Sequence, residues 1–191
     1  MNGKSVKIFW FVALFVLGSA GLLFILPSLT LRILFAALMV GVIFWTLKSG
    51  PAVEINTLSL VSAYVLSIAQ YSINFYFPKS LPGWLIMILT FSWVTALFWL
   101  GFNLKMGSIK LSARILTLTL GLVAGELAMA LLFLPIHFLI IGTVFFLLFY
   151  LAWMTANFYM GSLLNWHRVA VHVAFVGVLL LVILSTANWA I

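Results

Sequence analysis

The chain alternates long apolar runs with short interruptions that carry proline, glycine or charge. The runs cover about 8-26, 29-47, 54-77, 84-104, 111-134, 136-160 and 167-190. An α-helix needs roughly 20 apolar residues to cross the hydrocarbon core of a bilayer, so each run is long enough for one span. Pro27-Ser28 turns the chain between the first two runs, Pro51 and Pro78 to Gly83 bound the third, and Pro135 separates the fifth from the sixth. Helix breakers and charges coincide at these boundaries. The pattern predicts an all-α, polytopic membrane helix bundle with seven transmembrane helices, built as a single membrane domain over residues 1-191. A six-helix bundle is the alternative and would require fusing one of the proline-marked hairpins.

Composition agrees with the pattern. Hydrophobic residues make up 66% of the 191, charged residues 6%, and the mean hydropathy is +1.35, which excludes a soluble globular domain. The first run follows Lys4 and Lys7 and contains Gly18-Ser19-Ala20, as a cleaved signal peptide would. It continues apolar to Leu26 and reads as a span instead.

Nine basic residues give a net charge of +7, but they stand singly at span ends, so they report topology and not a nucleic-acid surface. Seven of them, Lys4, Lys7, Lys48, Lys105, Lys110, Arg114 and Arg168, fall on the side of the N-terminus, and only Arg32 and Lys79 on the other. The positive-inside rule then places the N-terminus in the cytoplasm and the C-terminus outside. The expected setting is the plasma (inner) membrane of a prokaryote.

Glu126 is one of two acidic residues and lies within an apolar run with no charged neighbour in sequence. A carboxylate at membrane depth must be paired, protonated or turned to a polar cavity. It sits about 12 Å inside the turn at Pro135 at 1.5 Å per residue, and Arg32 lies below the same surface after Pro27. His137, just past Pro135, belongs to the same zone and can titrate near neutral pH. In the third run Asn56, Ser59, Ala63, Ser67, Gln70 and Asn74 recur at three- and four-residue spacings and share one helical face. That face should meet protein or water and not lipid, and its outer members Gln70 and Asn74 reach the depth of Glu126. The small pair Gly121 and Gly125, beside Glu126, would let another helix approach the fifth run closely and so make it a central span, where a buried carboxylate belongs.

Glu126, Arg32, His137, Gln70 and Asn74 are therefore the candidates for ligand binding or proton coupling in an outward-facing polar cavity. The expected function is binding or transport of a small or lipidic solute through that cavity. Two other readings compete: a structural or assembly subunit that meets a membrane-protein partner, and a lipid-modifying enzyme using Glu126 with His137. No catalytic residue is identified, since the sequence lacks Gly-x-Ser-x-Gly, His-Glu-x-x-His and paired intramembrane aspartates. No cofactor or metal is expected: cysteine is absent, and His167 and His172 stand roughly 140° apart around a helix. Glu54 fits a helix N-terminus better than a site. Membrane lipids are the surrounding partners, and nucleic acid is not one.

Overall fold

The computed structural model describes residues 3–26, 28–48, 51–77, 82–106 and 111–187. Pro27, Lys79, Lys110 and Trp189 lie outside the described residues, as do the side chains of Lys4, Lys7, Lys48 and Glu54. Seven helices follow one another: α1 (Gly3–Ile25), α2 (Leu29–Lys48), α3 (Pro51–Tyr76), α4 (Gly83–Met106), α5 (Leu111–Leu131), α6 (Phe138–Met160) and α7 (Trp166–Thr186). No strand occurs among the described residues. Among the described residues, five stretches are long and apolar enough to cross a membrane, namely Asn56–Tyr76, Gly83–Lys105, Leu111–Leu131, Phe138–Met160 and Trp166–Thr186. Phe9–Leu23 of α1 and Leu29–Phe44 of α2 add two further apolar stretches, and the whole is a helical membrane bundle.

Local chemistry fixes the helix ends. Pro51 opens α3, where its missing N–H costs nothing. At the end of α5 the amides of Leu132, Phe133 and Leu134 bond three residues back, tightening the last turn before Pro135, which has no N–H to continue the helix. His137 then caps α6, its Nδ1 accepting from the Leu139 amide at 3.4 Å. Asn165 caps α7 in the same way, Oδ1 accepting from the His167 amide at 3.0 Å. Ser162, with φ 53°, makes the turn after α6 in the left-handed region.

Helix α3 occupies the middle and packs on α1, α6 and α4. Its small and polar stripe is what makes this possible, since Ser59, Ala63, Ser67 and Gln70 are all buried in the bundle. Ser67 Oγ, 3.1 Å from the carbonyl of Gly142, ties α3 to α6. Between α4 and α6 the contact is aromatic. Trp153 packs on Phe98, Phe102 and Phe149, the last two nearly parallel to it.

Helices α5, α2 and α7 are peripheral. Helix α5 lies chiefly on α4, close enough that a Cβ on Gly121 would stand 2.0 Å from Thr95 Oγ1 and one on Gly125 2.9 Å from the Met87 carbonyl. The glycine pair does allow close approach, but it seats α5 on a flank and not at the centre. Helix α2 touches α1 and α3 only lightly, and α7 packs on α6 while exposing most of its surface.

Candidate functional site

The five sequence-selected residues do not gather at one place. Glu126 follows Gly125, and one residue is about 100° of helix rotation. With Ala113, Thr117, Gly121, Gly125 and Ala128 turned inward, Glu126 is carried onto the exposed face of α5 beside Leu122 and Val123. It makes no hydrogen bond or ion pair among the described residues. Arg32 is exposed on α2, where Nε donates to the Leu26 carbonyl at 2.8 Å and so satisfies a carbonyl left open at the end of α1. Arg32 also borders a groove of about 460 Å³ with Ala20, Leu23, Ile33 and Ala36. His137 caps α6, its ring against Phe75 and Phe138. Asn74 is half-buried near the end of α3. The cluster of Arg32, Glu126 and His137 expected at the outer surface is thus not assembled within one copy.

Gln70 alone lies in a polar centre. It is buried between α3 and α4, and Oε1 accepts from Trp93 Nε1 at 3.1 Å and lies 2.9 Å from Thr90 Oγ1. An indole nitrogen only donates, so the amide oxygen must face it and the orientation of Gln70 is fixed. Its Nε2 then points into the packed interior without a partner, as does Ser62 Oγ.

A second polar centre sits at the opposite end of the bundle. Lys105, in the last turn of α4, donates from Nζ to Asn56 Oδ1 of α3 at 2.7 Å and to Asn157 Oδ1 of α6. Its ammonium also lies 5.9 Å from the centre of the Trp153 ring. Trp153 Nε1 adds a bond to Asn56 Oδ1 at 3.3 Å, and Asn157 Nδ2 donates back to the Trp153 carbonyl at 2.7 Å. One cation thereby joins three helices through neutral partners. Sequence reasoning counted Lys105 only as a topology marker. The missed signal was an asparagine at each of two neighbouring span ends on the same side as the lysine.

A lateral groove of about 700 Å³ opens between α5 and α6. Ile115, Leu116 and Leu120 form one wall, Leu151, Ala152 and Ala156 the other, and Ser112, Thr119, Thr155 and Tyr159 contribute hydroxyls. It runs from Ser112 to Leu120 along α5, about 12 Å at 1.5 Å per residue, within the half of the bundle on the side of the N-terminus. Small side chains open it, because Ala152 and Ala156 leave the α6 surface low where it faces α5. Glu126 lies beyond its far end.

On α7, His172 Nδ1 and the Tyr150 hydroxyl stand 2.8 Å apart, linking α7 to α6, and Phe158 packs on the same imidazole. No group of three or more metal-binding side chains is gathered among the described residues. Comparison with protein-family models, with curated proteins and with solved structures finds no match to this chain.

Proposed function

We propose that the protein binds a single-chain amphiphile of the surrounding bilayer, with its acyl chain in the α5–α6 groove and its polar end toward Ser112 and Tyr159. The groove is the observation that carries this reading. Its volume of about 700 Å³ lies within the roughly 300–1,000 Å³ of small-molecule sites, and its walls are apolar with a few hydroxyls, as such sites require. A length of about 12 Å approaches half of a hydrocarbon core about 30 Å thick, so the groove suits a chain from one leaflet. The positive-inside count makes that leaflet the cytoplasmic one. This moves the solute away from an outer polar cavity, which would need Glu126, Arg32, Gln70 and Asn74 on one surface.

The test is photolabelling of the purified protein in lipid nanodiscs with a diazirine-bearing fatty acid. Labels should concentrate on α5 and α6, and Ala152→Phe and Thr155→Trp, which fill the groove from positions not fully buried, should remove them. Labelling that is unchanged by both variants, or spread equally over α2 and α7, overturns the reading. The enzyme alternative has no geometric support, because Glu126 and His137 make no contact and acid/base partners need hydrogen-bond reach or one bridging water. The assembly reading is favoured by one observation, the outward carboxylate of Glu126.

A further inference from the structure

We infer that copies of this chain associate head to tail in the membrane through an ion pair between Glu126 of one copy and Arg32 of the next. Both residues are ionisable, exposed at membrane depth and without an ion-pair partner among the described residues. Their depths match. Glu126 lies five residues inside the end of α5 at Leu131 and Arg32 three residues inside the start of α2 at Leu29, about 8 Å and 5 Å from the same surface. Nε of Arg32 is held by the Leu26 carbonyl, which aims the guanidinium while leaving its four terminal N–H groups for a carboxylate.

The two residues do not meet within one copy. Helix α2 packs on α1 and α3, and α5 on α4 and α6, so the helices share no neighbour and lie on different flanks. Apolar exposure on these flanks is no argument, because lipid covers it as well as protein does. What distinguishes the two flanks is charge: a carboxylate without a cation on one and a guanidinium without a carboxylate on the other, each lacking what the other supplies. Since two different surfaces meet, the contact is heterologous, and repetition closes a ring or extends a row.

Cysteine cross-linking tests this directly, as the chain has no cysteine of its own. Leu29→Cys and Ala130→Cys lie about one turn outside Arg32 and Glu126, and both positions are exposed. Chains carrying one cysteine each, separately tagged and co-expressed, should give the mixed disulfide-linked pair. Cross-links only between identical positions, or none with monomeric mass in nanodiscs, overturn the inference.

A charge exchange keeps the result independent of folding. Glu126→Arg and Arg32→Glu should each lower the mixed cross-link roughly tenfold or more, as expected for removing one member of a desolvated ion pair. The double exchange should restore it. A double exchange that folds, by an unchanged melting temperature, yet stays uncross-linked overturns the pairing.

Discussion

Lys105→Met is the substitution whose effect the structure bounds most closely. It keeps a stem of similar shape beside Trp153 and removes only the ammonium. The ammonium makes two hydrogen bonds, to Asn56 and Asn157, and one ring contact. Hydrogen bonds to a charged group are each worth about 1.5–3 kcal/mol when buried. Lys105 is exposed in part, so solvent screening places both at or below the low end. The cation–π contact adds about 0.5 kcal/mol at such a site, and ordering a lysine side chain costs up to about 2 kcal/mol. The net loss should be about 1–2 kcal/mol.

The assay is reversible unfolding in mixed micelles, with Lys105→Arg as a control that preserves the charge on this side of the membrane. A fork-shaped guanidinium cannot reproduce the compact three-way contact, so Lys105→Arg should recover less than half of the loss. A cycle with Asn157→Ala should show coupling of about 0.5–1 kcal/mol. If Lys105→Met changes stability by less than about 0.3 kcal/mol, or the cycle is additive, the lysine does not tie α3, α4 and α6 together. If Lys105→Arg is fully wild-type, charge alone matters and the geometry does not.

Two further outcomes follow from the packing. Gly121→Leu would push a side chain into Thr95 Oγ1 and the Phe91 carbonyl, so α5 must lift from α4 at a cost of about 1–3 kcal/mol or more; Gly41→Leu on α2, with no neighbouring atom within 4 Å, should be silent in the same melting assay. Gln70→Leu should change stability by less than about 1 kcal/mol, because losing the Trp93 bond, about 0.6 kcal/mol in a membrane, is offset by removing the unpartnered Nε2. A measured loss above about 2 kcal/mol would show that Nε2 has a bound partner such as a buried water.

The membrane class and the helical bundle were legible because hydropathy reports them residue by residue. The inward direction of the α3 stripe was legible too, since Ser59, Ser67 and Gln70 cannot all face lipid cheaply. The direction of Glu126 was not. Adjacency to Gly125 in sequence suggested adjacency to the helix contact, but the contact face is set by recurrence of small residues at Ala113, Thr117, Gly121 and Gly125, and the next residue turns away from it. The Lys105 centre was hidden for a related reason: Asn56, Lys105 and Asn157 come from three helices, and no periodicity along one helix encodes a meeting between three. The α5–α6 groove follows from small residues at Ala152 and Ala156, which hydropathy scores as merely apolar.

The placement of polar partners separates the bundle into parts with different tasks. Within the contact of α3, α4 and α6, the polar groups largely answer one another: Lys105 with Asn56 and Asn157, Ser67 with Gly142, Gln70 with Thr90 and Trp93. Such groups fix helix positions and have little capacity left for a ligand. The unanswered charges, Arg32 and Glu126, and the α5–α6 groove all involve peripheral helices held on one side only. In lipid, where apolar surface gives no drive to associate, only shape and unpaired polarity distinguish one exposed face from another. Partners and solutes should therefore be sought along α2 and α5, and variants on the exposed faces of these helices should alter association or labelling while leaving the melting temperature of the α3, α4 and α6 core nearly unchanged.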